Sequence, residues 1–315
     1  MSEPLAWVVG AGGLVGRHVV TDLAHHGWDV HPAQVPWQDE DAAVAALQEQ
    51  AAAFARARAG RRWAVVWCAG AGVVATGKDA LDAELRVFTR ALDHLAGAED
   101  VGDGTLFLTS SAGGLYAGSS GPPFTEASTP TPLVPYGHTK LAMEERAGEL
   151  AARTGIRVVH GRLANVFGPG QKLGKPQGLV SQLCLADATR RPLPVYVSHD
   201  TIRDYVFVGD VAAMVRVCLD LAAEQEPGAV TAKVLASGVP VTVGHLVGEA
   251  RRVFHRPLRT ITVPGGAGQV LDLRLASRQW PQVDALARTS LAAGLGLTAA
   301  DVRRRVTSGR PLDAA

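Results

Sequence analysis

Tyr136 and Lys140, within VPYGHTKLAMEE (Val134 to Glu145), stand four residues apart. Four residues make one helical turn, so a helix here presents a phenol and an ammonium on one face. The ammonium favours the phenolate, which turns a tyrosine into a proton-transfer group. In isolation such a pair is more often a surface Tyr beside a solvated Lys. Other residues add weight. Ser110 and Ser111 end the apolar run GTLFLTSS, and Ser111 precedes Tyr136 by 25 residues, room for a loop that brings both hydroxyls to one carbonyl. A strand-end serine is equally well explained by local turn hydrogen bonds. Near the start, Gly10, Gly13 and Gly16 follow one another at three-residue spacing. Such glycines allow a tight turn, close approach of a pyrophosphate and close helix–strand packing, in that order.

The elements that must position these residues can be read from the hydrophobic pattern. Leu5 to Val9 is a continuous apolar run, as in a strand buried on both faces, and LVGRHVVTDLAHHG after it has helical periodicity ending at Gly27. Strand, glycine turn and helix are the context in which a glycine pattern becomes a dinucleotide site, with phosphate charge received at the helix N-terminus. RRWAVVWCAGAG is a second buried strand, and its small-residue turn puts Ala69 on the cofactor side. DALDAELRVFTRALDHLAG is a helix, GTLFLTSSAGG a strand, the Tyr/Lys segment a helix, and GIRVVHGRLANVFGPG a further strand. The alternation predicts a doubly wound parallel sheet. Ala42 to Arg58, rich in Ala and Arg, reads as an exposed helix. Ligands of such sheets bind beyond the carboxyl ends of the strands, which gathers Ser111, Tyr136, Lys140 and the glycine turn at one edge. There Tyr136 would pass the proton, Ser111 would bond the reacting oxygen and Lys140 would hold the nicotinamide ribose.

The 315 residues are 47% hydrophobic and 19% charged with a formal charge of +1, which gives no electrostatic case for nucleic acid or an acidic membrane. Three cysteines, Cys68, Cys184 and Cys218, match neither a disulfide framework nor a zinc site and suggest a reducing compartment. The histidines show no metal-binding spacing. With no charged n-region before an apolar stretch and no run of about 18 apolar residues, a cytoplasmic protein without a membrane span is expected.

The segments VVGAGGLVGRHV, LFLTSSAGGLYAG, PYGHTKLAMEERA, GRLANVFGPGQ and IRDYVFVGDVAAMV, taken together from about residue 5 to residue 215, resemble the extended short-chain dehydrogenase/reductases of the NAD-dependent epimerase/dehydratase family, which modify nucleotide sugars. The resemblance implies a Rossmann-type α/β fold. Residues 1–168 would bind the dinucleotide and 169–315 would be mainly a smaller C-terminal substrate-binding region, with segments near 200–238 returning to the main sheet. It makes Ser111, Tyr136 and Lys140 the catalytic set and Gly10, Gly13 and Gly16 the pyrophosphate turn. Asn165 and Arg203 fall where the family meets the substrate diphosphate, and Arg274 is a second phosphate candidate. Arg203 has a plainer alternative, an ion pair with Asp204 or Asp210.

Some positions depart from the family pattern. Gln34 stands where NAD-preferring members carry an acidic residue for the ribose diol; that substitution, with Arg17 close to the glycine turn, favours NADP(H) over NAD(H), while Asp29 and Asp39 keep NAD open. The helix after residue 78 lacks the family's asparagine and carries Glu84 nearby. The expected activity is an NAD(P)-dependent 4-keto reduction or C4 epimerisation of a nucleotide-linked sugar. Ala112 and Gly113, after the catalytic hydroxyl, argue against 4,6-dehydration. Alternatives are a reductase of a non-sugar carbonyl compound and a non-catalytic NAD(P)-sensing protein. Apolar faces on DALDAELRVFTRALDHL and LAMEERAGELAAR suggest a homodimer built on four helices, unless those faces simply cover the sheet.

Overall fold

A computed structural model describes residues 2–70, 76–97, 101, 103–174, 178–263 and 270–309. The end of the small-residue turn (Ala71, Gly72) and part of the Gly/Pro loop (Lys175 to Gln177) lie outside the described residues. The chain runs β1 (Leu5–Val9), α1 (Leu14–His25), β2 (Asp29–Pro32), α2 (Glu40–Ala57), β3 (Trp63–Trp67), α3 (Lys78–Ala96), β4 (Thr105–Ser111), α4 (Ala112–Leu115), α5 (Pro135–Thr154), β5 (Arg157–Leu163) and β6 (Asn165–Phe167). It continues with α6 (Leu179–Thr189), β7 (Leu193–Val195), β8 (Ile202–Arg203), β9 (Tyr205–Phe207), α7 (Val208–Ala223), β10 (Val230–Leu235), β11 (Val241–Thr242), α8 (Val243–Phe254), β12 (Thr260–Thr262), α9 (Pro281–Asp284) and α10 (Leu291–Thr307).

Six strands form one parallel sheet in the order β10-β5-β4-β3-β1-β2. All five residues of both β1 and β3 are buried, which is why they read as unbroken apolar runs. Helices cover both faces. α2, α3 and α5 close over Trp7, Trp63, Trp67 and Leu106 on one side; α1 and α7 close over Val8, Val66 and Phe107 on the other. The sheet is doubly wound, but its order about β1 is 2-1-3-4-5, not the 3-2-1-4-5-6 of two equal mononucleotide-binding halves. The direction in which successive strands are laid down reverses between β1 and β3, so the crevice at that switch point is flanked by Gly10 after β1 and Ala69 after β3.

The expectation of an exposed helix over Ala42 to Arg58 needs correction. α2 begins at Glu40 and buries Ala43, Val44, Leu47, Ala51 and Phe54, while Arg58 is itself buried with its guanidinium 4.5 Å from the Trp63 ring centre. Alanines fill the inward face there, and they give a weak amphipathic signal. In α3 and α5 the apolar faces, including Phe88, Leu92, Met143 and Leu150, lie in the core under the sheet. Their outward positions carry Arg86, Arg90, Asp93, Glu145, Arg146 and Glu149.

Outside the main sheet, β6 pairs with β9, β8 with β11, and β7 with β12. These short pairs, with α6, α8 and α10, enclose a separate apolar cluster that includes Leu183, Leu246 and Leu295. Among the described residues no helix is long and apolar enough to cross a membrane.

Candidate active site

The turn after β1 is shaped by what its glycines lack. Gly10 has φ +87°, and a Cβ there would lie 2.4 Å from the Ala69 amide nitrogen. A Cβ on Gly16 would lie 2.2 Å from the Gly10 carbonyl oxygen, so helix and turn touch backbone to backbone. Gly13 donates its N–H to the Gly10 carbonyl at 2.9 Å and precedes α1 with no side-chain cap. Space is open at Gly12, where an added Cβ would meet nothing within 4 Å. An uncapped helix N-terminus behind an open, side-chain-free turn suits a pyrophosphate. Arg17 braces this turn from the side. Its guanidinium donates to Gly12 O at 2.8 Å and to Gly13 O at 3.3 Å, and Gly170 packs so close that a Cβ would sit 2.8 Å from Arg17 Nη1.

At the end of β2, the Gln34 side chain is exposed and its backbone is clasped by Gln50, which accepts from Gln34 N–H and donates to Gln34 O. Neither aspartate weighed for the ribose is placed for it. Asp29 opens β2 level with Leu5, at the amino end of the sheet, and pairs with Arg61 at 3.0 Å. Asp39 caps α2 by accepting from Ala42 N–H.

The hydroxyl corner forms where β4 and α5 meet. Ser111, the last residue of β4, caps the short α4 by accepting from the Gly114 N–H at 3.1 Å. Gly114 in turn faces the Tyr136 ring, where a Cβ would come within 3.1 Å of Cε1. Gly137 meets the Gly114 carbonyl so closely that its own Cβ would clash at 2.3 Å. Two glycines therefore let α5 start directly against α4 and bring Ser111 and Tyr136 to one place. Pro135 at the first turn pre-sets the helical backbone. Lys140 follows one turn later, its Nζ 5.9 Å from the Tyr136 ring centre. That Nζ donates to Glu84 Oε1 at 2.9 Å, and the two side chains are 6% and 11% exposed.

A buried polar cluster that sequence reasoning missed anchors the same helix. Glu144, four residues after Lys140, takes a forked bond from Arg162 of β5 at 2.7–3.3 Å. Arg162 also donates to the Tyr116 hydroxyl at 2.7 Å, and Tyr116 donates to Thr125 O at 2.8 Å. Burial opposes the Arg162 charge, but the Glu144 carboxylate outweighs it and holds the guanidinium above its usual range. Burial pushes the neighbouring His160 down, and its Nε2 has no partner. The available signal was Glu144 at the i+4 position; its partner, 18 residues away on a strand, left none.

On the substrate side, Asn165 is exposed at the start of β6, and both its backbone N–H and its side-chain amide donate to Asp204 O. Arg203 makes neither of the ion pairs considered for it. Asp204 instead accepts from the Ser237 and Gly238 N–H groups, and Asp210 holds Thr289. The Arg203 guanidinium donates to Ile202 O and Val270 O, each at 2.8 Å, and burial pushes it below its usual range. Arg274 pairs with Asp272 at 2.7 Å. A bridge between Ile202 and Asp272 sets the Arg203 and Arg274 segments side by side. The rim reaches back to the hydroxyl corner, since Phe124 N–H donates to Arg274 O and the Phe124 ring stacks on Tyr116 at 5.4 Å. Among the described residues, no group of three or more His, Cys, Asp or Glu is arranged to hold a metal ion.

Comparison with known proteins identifies the family and the fold. The model of the NAD dependent epimerase/dehydratase family matches residues 6–231. A UDP-glucose 4-epimerase of Azospirillum brasilense is 29% identical over 238 residues, 67% of each chain. A dTDP-L-rhamnose 4-epimerase of Burkholderia thailandensis is 32% identical over 125 residues, 39% of this chain and 33% of that one, so the match spans only a third of that relative's length. The crystal structure of a Thermotoga maritima UDP-glucose 4-epimerase with UDP-glucose superposes with a TM-score of 0.79 at 22% identity, over 96% of this chain and 99% of that one. Neighbours of this fold have been solved with NAD and with NADPH. On the match over residues 6–231, the chain belongs to the NAD-dependent epimerase/dehydratase family.

Proposed function

We propose that this protein is an NAD(P)-dependent oxidoreductase of nucleotide-linked sugars, working by 4-keto reduction or C4 epimerisation. The observation that carries this reading is the corner where Ser111 and Tyr136 meet across Gly114, with Lys140 one turn on, at the carboxyl edge of the sheet. Two of the relatives, both sugar-nucleotide 4-epimerases, support the substrate class. A bound nicotinamide supplies or accepts the hydride. Gly10, Gly13 and Gly16 take the pyrophosphate, with Ala69 walling the turn and Arg17 stiffening it. Ser111 donates to the reacting oxygen, Tyr136 gives or takes its proton, and Lys140 orients the ribose. Arg203 and Arg274, with Asn165, receive the diphosphate.

NADP(H) is the favoured cofactor in this reading. Its support is now the neutral, exposed Gln34, since Arg17 is committed to the Gly12 and Gly13 carbonyls. A homodimer through α3 and α5 belongs to the same proposal, joined by their mixed-charge outer faces; a sedimentation experiment giving monomer alone at micromolar concentration rejects it. One observation favours a second reading, reduction of a non-sugar carbonyl compound: Arg203 and Arg274 are both occupied by internal partners. Titration with dTDP, UDP and GDP in the presence of cofactor separates the two. Binding of one of them supports the sugar-nucleotide reading, and binding of none replaces it with the second.

A further inference from the structure

Lys140 does not serve Tyr136 alone. Its ammonium is shared with a carboxylate, Glu84 Oε1 at 2.9 Å, in a pair almost shielded from solvent. Gly70, just past β3, fits the pair closely, since a Cβ there would lie 3.0 Å from Lys140 Nζ and 3.1 Å from Glu84 Oε1. The Lys140 ammonium also donates to Met143 Sδ at 3.7 Å. The phenol of Tyr136 thus faces an ion pair of no net charge. Other charges around it are occupied or neutral. Glu144 is bound by Arg162; on α3, Asp82 pairs with Lys78 and Arg86 with Glu40; and on β3's end desolvation keeps the Cys68 thiol neutral, up to about 12. Tyr116 and His160 are held neutral by burial.

We propose that Glu84 is a positioning residue that takes up the Lys140 ammonium and keeps Tyr136 as a protonated phenol, so that the site is set to hand a proton to a carbonyl oxygen. This rests on the function proposed above and deepens it, favouring keto reduction over steps that begin by oxidising an alcohol. In that direction the carbonyl carbon gains the hydride, its oxygen takes the Tyr136 proton, C=O becomes CH–OH and the reduced nicotinamide is oxidised. Tyr136 then recovers its proton from solvent.

The test needs no substrate. The chain has four tyrosines, and the difference between parent and Tyr136→Phe spectra isolates the Tyr136 phenolate. Removing the carboxylate frees the ammonium to take the phenolate as counterion. Tyr136 in Glu84→Gln should ionise about one pH unit lower than in the wild type, the size of one unit charge at roughly 8–10 Å through an effective dielectric near 20. Glu84→Asp should restore the wild-type midpoint. Glu84→Asn carries the same expectation should Glu84→Gln not fold. A midpoint unchanged or raised in the folded neutral variant overturns the proposal while leaving the proposed function standing. Full turnover by Tyr136→Phe overturns the function itself.

Discussion

Tyr136 and Lys140 lie one turn apart on α5, and Ser111 closes the central strand β4. Asn165, Arg203 and Arg274 come instead from three short segments outside the main sheet, held together by a bridge and a few carbonyl bonds. In the first region two glycines let α5 pack directly against α4, which fixes the functional groups on rigid elements. In the second each cation already has an internal partner, Val270 O for Arg203 and Asp272 for Arg274. Proton transfer tolerates little error in distance, so its groups sit on rigid elements; a diphosphate can be met by side chains that exchange one partner for another. Variants of the first region should therefore change rate, and variants of the second should change substrate affinity.

The largest effect is expected from Tyr136→Phe, which should lower turnover by about 10²–10⁴-fold, the usual contribution of a positioned acid or base, with cofactor affinity and melting temperature near wild type. Next comes Gly10→Ala. The new methyl would meet the Ala69 amide nitrogen at 2.4 Å with φ at +87°, so both cofactor binding, read by titration, and stability should fall, the latter by more than about 2 kcal/mol in urea unfolding. Lys140→Met should slow turnover and weaken cofactor binding. It also leaves the Glu84 carboxylate buried without its ammonium, so a stability loss of about 3 kcal/mol is expected, relieved when Glu84→Gln is added.

Arg203→Ala should raise the substrate KM about tenfold or more while leaving cofactor affinity unchanged, and Arg274→Ala should do the same more weakly because its pair with Asp272 is solvent-facing. A large fall in kcat at unchanged KM in Arg203→Ala would break the contrast between the two regions. The smallest effect concerns the loop between them. Burial pushes the Glu126 carboxyl up, but N–H bonds from Val234 and Arg278 and the Ser277 hydroxyl outweigh it and hold it below the usual range. A depressed carboxyl contributes stability that is present above its unfolded value and lost as pH falls through the folded one. Glu126→Gln should cost about 1 kcal/mol at neutral pH and flatten the acid limb of unfolding below about pH 4.

The same contrast explains what could be read from the amino-acid sequence. β1, β3 and β4 are buried on both faces, so their apolar runs stand out, and the glycines announce the turn because backbone contact excludes a side chain at Gly10 and Gly16 and crowds one at Gly13. The Tyr136–Lys140 spacing is local and survives in one dimension. What was not legible depends on partners far apart in the chain. Strands of two or three residues, such as β8 and β11, have no period to detect. The Arg203 reading missed its carbonyl partners because any segment can supply a carbonyl, whereas Asp204 and Asp210 were visible and engaged elsewhere. Glu84 was visible only as an oddity; its meaning lies in a contact 56 residues away.

The central claim is that the Ser111, Tyr136 and Lys140 corner moves hydride and proton at a sugar linked to a nucleoside diphosphate. The most direct measurement is deuterium transfer from C4-deuterated NADH or NADPH into a panel of dTDP-, UDP- and GDP-linked 4-keto sugars, wild type beside Tyr136→Phe. The account predicts deuterium at C4 of one product with the wild type and its near-complete loss in the variant; incorporation by the variant at the wild-type rate, or none into any nucleotide-linked sugar together with no C4 epimerisation of the matching 4-hydroxy sugars, would contradict it.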